Sequence, residues 1–84
     1  MIRITQNILK SIENLQVEIL DFQVAIRKEY TDIMFSIFDT SPIALDLVED
    51  FIKTSLKWHE YKGFISYWKI TKKDERSYLI HLKK

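Results

Sequence analysis

The chain has one glycine and one proline among its 84 residues, so it offers few points at which a regular element must break. Pro42 directly follows Ser41. This pair is typical of a helix start, because serine caps the first turn and proline is favoured at the first helical position. Gly63 suits the left-handed residue that often follows the end of a helix. Together these residues predict a helix over 42–62.

The first third of the chain carries apolar residues at helical spacing. A stripe from Ile4 to Tyr30 falls within an arc of about 80°, and its spacing between Ile8 and Ile26 alternates four and three residues as in a heptad. We therefore predict a helix over 3–29 that forms a homodimer through this seam. A strand is the competing interpretation, because apolar residues also alternate from Leu20 to Ile26, but the helical pattern has more matches. The predicted dimer-interface residues are Ile8, Ile12, Leu15, Ile19, Phe22 and Ile26.

The rest of the chain predicts one ambiguous apolar element before the second helix and β-structure after it. Residues 32–39 form a short apolar run that fits a buried strand or a short buried helix equally well. Beyond the second helix, two β-rich runs at 64–71 and 77–82 are joined by a polar segment, which predicts an antiparallel hairpin over 64–83. We expect residues 1–84 to form one α+β domain: a long N-terminal helix, a short apolar element, a second helix and a C-terminal hairpin.

Charge is divided along the chain. Residues 1–52 carry four basic and nine acidic side chains, whereas residues 53–84 carry nine basic and three acidic ones. The net charge of +1 therefore combines an acidic part with a basic part. A basic part suits a polyanion or an acidic protein surface, so the pattern favours binding over catalysis.

The C-terminal hairpin carries three motifs that occur together in one known family. They are Gly63-Phe64-Ile65, Asp74-Glu75-Arg76-Ser77 and the alternating Tyr78-Leu79-Ile80-His81-Leu82. This segment, 63–82, resembles the wing of winged-helix regulators of the multiple-antibiotic-resistance and staphylococcal accessory regulator type, and 45–52 is similar to the first helix of their helix-turn-helix. The resemblance implies a winged-helix-like, DNA-binding transcription regulator in which Arg76 reaches the minor groove. Only 53–62 remain for a turn and recognition helix, so either that helix is short or the hairpin is wing-like on another scaffold.

We expect a small dimeric nucleic-acid-binding regulator that grips the phosphates of DNA or RNA with its basic hairpin. An ordinary solvated hairpin with its aromatic side chains in the core has the same composition. The alternative function is a non-enzymatic protein–protein interaction module, such as a compact inhibitor or adaptor of bacterial or viral origin. The expected nucleic-acid-binding residues are Tyr67, Trp68, Lys69, Lys72, Lys73 and Arg76.

Other chemistry has little support in the sequence. There is no cysteine and no His/Glu metal spacing, so we expect neither a metal nor a cofactor. Ser55 and His59 stand four residues apart but lack an orienting group, and His81 has no identifiable partner, so we do not expect an enzyme. Trp58 and Tyr61 are expected to pack rather than bind. No stretch reaches the length of a membrane span, and we expect a cytoplasmic protein.

Overall fold

The computed structural model describes residues 2–84 and confirms the α+β class. Its elements follow the order helix, strand, strand, helix, strand, strand. They are α1 (Ile2–Asn14), β1 (Ile19–Ile26), β2 (Tyr30–Ile37), α2 (Pro42–Tyr61), β3 (Tyr67–Lys72) and β4 (Ser77–Lys83).

The second helix and the hairpin lie where the sequence predicts them. The Ser41 hydroxyl accepts a hydrogen bond from the backbone N–H of Ala44 at 3.3 Å, and Pro42 occupies the first turn. Gly63 follows the end of α2 with a φ of 79°, which is the left-handed conformation that glycine adopts at little cost. The Ser41 cap and the Gly63 conformation are therefore both confirmed.

The predicted helix over 3–29 is wrong beyond residue 14. After α1 ends at Asn14, Gln16 takes a left-handed φ of 59°, and the chain then enters β1. Apolar residues between 19 and 26 satisfy both a helical and an alternating pattern, and β-branched and aromatic residues among them favour a strand. Hydrogen bonding to β2 along most of its length decides between the two patterns, because it satisfies the backbone of β1 in extended form.

The four strands form one antiparallel sheet in the order β1-β2-β4-β3. The ambiguous segment 32–39 belongs mainly to the central strand β2. Burial alternates strictly along β2 and β4, so one face of the sheet packs in the core and the other is open to solvent. Buried residues of both helices pack in the same hydrophobic cluster as the buried residues of β2 and β4, so the helices cover one face only.

The predicted dimer seam is divided among different parts of the fold. Ile8 and Ile12 are fully buried in the core of their own chain, so their expected burial is confirmed but they cannot contact a second chain. Leu15, Ile19 and Phe22 pack partly buried against the same core. Ile26 is exposed on β1. Because the helix ends at Asn14, these six residues do not form the single helical seam that the sequence predicts, whereas the homodimer itself stays a prediction.

Helix α2 buries one face and leaves a second apolar stripe in solvent. Its buried residues are Ala44, Val48, Ile52, Leu56 and His59. Trp58 and Tyr61, which were expected to pack, are 50% and 86% exposed. For Tyr61 that expectation is wrong, because the sheet and α1 cover only one side of α2 and Tyr61 lies outside the covered side. Trp58 is half-buried, and its ring packs against those of His59 and Phe64.

Candidate nucleic-acid interface

The face of the sheet opposite the helices is the candidate site, and we call it the open sheet face. Strand alternation assigns to it the residues that lie between the buried ones. They are Asp21, Gln23, Ala25, Tyr30, Asp32, Met34, Ser36, Tyr67, Lys69, Thr71, Ser77, Leu79, His81 and Lys83. Most side chains of an uncovered sheet face are polar, so its aromatic residues are the feature that needs an explanation.

Two tyrosines flank a lysine at one end of this face. Lys83 on β4 is the register partner of both Tyr30 on β2 and Tyr67 on β3. The Lys83 ammonium lies 5.9 Å from the centre of the Tyr30 ring, within reach of a cation–π interaction. Tyr30 is 38% exposed and Tyr67 is 47% exposed, so each presents part of its ring to solvent. Two aromatic surfaces and a cation are thereby held on one rigid sheet.

His81 lies beside these tyrosines and is held by a carboxylate. Its ring stacks on Tyr30 with 4.8 Å between the ring centres, and the Tyr67 ring is oriented edge-to-face toward it with 6.4 Å between the ring centres. Its Nδ1 atom is 2.5 Å from Oδ1 of Asp32, its register partner on β2. His81, which had no identifiable partner in the sequence, thus has one across the strand. The bond fixes the plane of the imidazole ring within the aromatic cluster.

Two shallow depressions cover much of the open sheet face and meet at Leu79. The charged residues that line them are Arg27, Asp32, Lys69, Lys73, His81 and Lys83. Asp32 is the one carboxylate among them, and it accepts a hydrogen bond from His81. With four permanently cationic side chains against one paired carboxylate, the depressions carry a positive potential suited to an anionic ligand.

The hairpin turn between β3 and β4 is ordered by one carboxylate. Oδ1 of Asp74 accepts hydrogen bonds from the backbone N–H groups of Arg76 and Ser77, each at 2.9 Å. The Arg76 N–H, with a smaller contribution from Ser77, lowers the pKa of Asp74 below its ordinary value. Asp74 is therefore a turn-forming residue, and it holds the backbone from which Lys73 and Arg76 extend.

The six predicted binding residues do not share one surface. Tyr67 and Lys69 lie on the open sheet face. Trp68 is paired with Leu82 and packs partly buried against the core, so it lies on the opposite side of the sheet from Tyr67 and Lys69. Lys72 belongs to the same side as Trp68 but is exposed. Lys73 lines the open face, whereas Arg76 is half-buried in the turn.

Three residues of the cluster were missed in the sequence: Tyr30, His81 and Lys83. The alternation from Ser77 to Lys83 already places His81 and Lys83 opposite the buried side chains of that strand. Tyr30 carries no comparable signal, because the sequence assigns it to the end of the helical stripe that begins at Ile4 and its neighbour across the sheet was unknown. Its role depends on the pairing of β2 with β4, which joins residues distant in the chain.

The remaining polar groups do not form a second site among residues 2–84. Nδ1 of His59 donates to the backbone carbonyl of Ser55 at 2.7 Å, so the histidine contacts the main chain rather than the serine hydroxyl. No cluster of three potential metal ligands lies in this part of the chain. Neither α1 nor α2 has both the length and the apolar character needed to cross a bilayer.

A scan against protein-family models found no match, and a search of curated proteins found no significant relative. The fold is a two-layer α+β domain, and its open sheet face carries cationic and aromatic side chains.

Proposed function

We propose that this protein binds single-stranded nucleic acid on its open sheet face and acts as a small regulatory protein in the cytoplasm. The observation that carries this proposal is the placement of Lys83 between Tyr30 and Tyr67 on an uncovered sheet. Single-stranded nucleic acids bind to cationic surfaces on which aromatic side chains stack with the bases. The open sheet face has both features within one cluster.

The roles of the residues follow from their chemistry. Tyr30 and Tyr67 stack with unpaired bases, and each such contact contributes about 1–3 kcal/mol in comparable systems. Lys69 and Lys83 contact phosphates from the same face, and Lys73 extends the path toward the hairpin turn. His81, held by Asp32, fills the space between the two tyrosines and limits their movement.

A single strand fits this surface better than a duplex. The bases of a duplex are stacked on one another and cannot stack on side chains, whereas the faces of unpaired bases are accessible. Helix α2 runs without a break from Pro42 to Tyr61, so residues 45–52 are not followed by a turn and a second helix. The hairpin's resemblance to a wing is consistent with a phosphate contact, and this proposal assigns that contact to Lys73 and Arg76.

The test measures fluorescence anisotropy of labelled single-stranded RNA and DNA of about 12 nucleotides, with a duplex of the same sequence as comparison. We expect tighter binding to single strands. Tyr30→Ala and Tyr67→Ala should each weaken binding by roughly tenfold. The Lys72→Ala/Lys73→Ala/Arg76→Ala variant should reduce the salt slope by roughly 0.7 for each lost single-strand phosphate contact. Lys73→Ala should cost more than Lys72→Ala, because only Lys73 lines the open face.

Lys53→Ala/Lys57→Ala is the matched control, because it removes exposed positive charge from α2, on the other side of the sheet. It should leave the affinity within about twofold, since exposed charges more than about 10 Å from the ligand are screened at physiological salt. No binding by the wild type at about 50 mM salt would refute the proposal and favour the alternative function, a protein-interaction module that uses the same face against an acidic protein surface. Duplex binding that the tyrosine variants leave unchanged would also refute it.

A further inference from the structure

An apolar stripe runs along the solvent side of α2, remote from the open sheet face. Its positions are Ile43, Leu47, Phe51, Thr54, Trp58 and Tyr61. At 3.6 residues per turn these positions fall within an arc of about 80°. From Phe51 to Tyr61 the spacing is three, four, three, which is the spacing of a helix–helix seam.

The stripe is large enough to matter for assembly. Ile43 is 83% exposed, Tyr61 is 86% exposed, and Leu47, Phe51 and Trp58 are each about half exposed. At about 200 Å² for a large side chain, the exposed stripe amounts to roughly 600 Å² per chain. A standard interface takes about 800 Å² from each partner, a value within reach once the flanking polar residues are included. The largest apolar patch of a typical monomer is about 300–600 Å² and is often functional, and this stripe lies at the upper end of that range.

The charges beside the stripe indicate which partner fits. Along one edge, Asp46 and Asp50 flank its N-terminal half, and Lys53 and Lys57 flank its C-terminal half. None of the four forms an ion pair within residues 2–84. Asp46 and Asp50 stand at i,i+4, as do Lys53 and Lys57, and like charges at this spacing destabilise an isolated helix. The edge therefore presents an acidic half and a basic half without partners of opposite charge.

We infer that α2 is a homodimer interface in which two copies of the helix pack antiparallel about a two-fold axis near its centre. In that arrangement the charged edge of one helix lies against the same edge of the partner helix, which runs in the opposite direction. Asp46 and Asp50 of one chain then face Lys57 and Lys53 of the other, and the two-fold axis generates these contacts two times. A parallel pairing would place this edge against the opposite edge of the partner helix and leave the charges unpaired. Because α2 and the open sheet face lie on opposite sides of the sheet, the dimer leaves both open faces accessible.

Sedimentation velocity from about 1 µM to about 1 mM tests the inference directly. We expect the wild type to pass from monomer to dimer within this range. Phe51→Ser/Tyr61→Ser should weaken dimerisation at least tenfold, because buried aromatic residues dominate such interfaces. Ile26→Ser/Tyr67→Ser, which changes exposed apolar residues on the sheet, should leave it unchanged. Urea unfolding should show that both variants fold.

The antiparallel arrangement has a separate test. One variant, Asp46→Lys/Asp50→Lys, has an entirely basic edge, and a second, Lys53→Asp/Lys57→Asp, has an entirely acidic one. Each alone should remain monomeric through charge repulsion, and an equimolar mixture should form a heterodimer. A wild-type protein that stays monomeric at about 1 mM, or a dimer that the Phe51→Ser/Tyr61→Ser variant retains, would overturn the inference. Self-association of either charge variant as strong as in the wild type would overturn the antiparallel arrangement.

Discussion

The buried hydroxyl of Thr31 provides a sharp test of the core. Thr31 lies in the central strand β2 with no exposed surface, and its Oγ1 atom has no hydrogen-bond partner among residues 2–84. Its neighbours across the two adjacent strands are Ile26 and Leu82, both apolar. A buried hydroxyl without a partner costs about 1–3 kcal/mol of stability. The substitution Thr31→Val removes this cost and keeps both the side-chain volume and the β-branched shape.

The expected gain is worked from two contributions. Removal of the unpaired hydroxyl recovers at least about 1 kcal/mol, and the added methyl group contributes up to about 0.8 kcal/mol through apolar burial. We therefore expect the free energy of unfolding to rise by about 1–2 kcal/mol. For a domain of this size each kcal/mol corresponds to a Tm increase of about 4–8 °C.

Urea and thermal unfolding, followed by circular dichroism, measure this change. Thr71→Val on β3 is the matched control, because it makes the same chemical change at a half-buried position on the open sheet face. It should change stability by no more than about 0.5 kcal/mol. If Thr31→Val lowered the free energy of unfolding, the hydroxyl would have a partner in solution, and the reasoning about this part of the core would be wrong.

Four further predictions concern stability. Gly63→Val should destabilise the protein by about 1 kcal/mol or more in urea unfolding, because its φ of 79° is unfavourable for a β-branched residue. Ser41→Ala should cost about 1 kcal/mol in the same assay through loss of the cap on α2. Ile8→Ala should cost about 2–5 kcal/mol, because it leaves a cavity in the core. Asp74, whose pKa is lowered when folded, stabilises the turn above about pH 4 and loses that effect as the pH falls, so the stability difference between wild type and Asp74→Ala should shrink on acidification.

Three of these substitutions have a matched control. Gly63→Asn introduces a residue that tolerates the left-handed conformation, and Ser41→Thr keeps a capping hydroxyl. They should therefore destabilise the protein less than Gly63→Val and Ser41→Ala, respectively. Ile2→Ala truncates an exposed isoleucine on α1 and should have little effect. For Asp74, a stability difference that grows toward low pH would contradict the hydrogen-bonding argument. Equal effects of Ile2→Ala and Ile8→Ala would contradict the assigned core.

The sequence by itself predicted those helices and strands whose ends are set by residues close to them in the chain. The start of α2 at Pro42 and the turn at Gly63 were predictable, because a cap and a left-handed glycine act within a few residues of their own position. The hairpin was predictable for the same reason, since its two strands are adjacent in the chain and joined by a polar turn. Tyr67 and Lys69 of the candidate site belong to this hairpin.

Tertiary structure alone decided the extended form of β1 and the composition of the two proposed binding surfaces. The segment from Ile19 to Ile26 fits two periodicities, and only its hydrogen bonds to β2 select the extended one, because pairing satisfies backbone groups that a local pattern cannot assign. Tyr30 belongs to the candidate site only because β2 pairs with β4. Trp68 does not belong to it, because strand alternation places its side chain on the core side of the sheet. Likewise, no local pattern distinguishes an apolar helix residue that packs in the core from one that stays exposed. The exposed apolar stripe on α2 is defined by the tertiary structure, because the sheet and α1 cover only the other side of that helix.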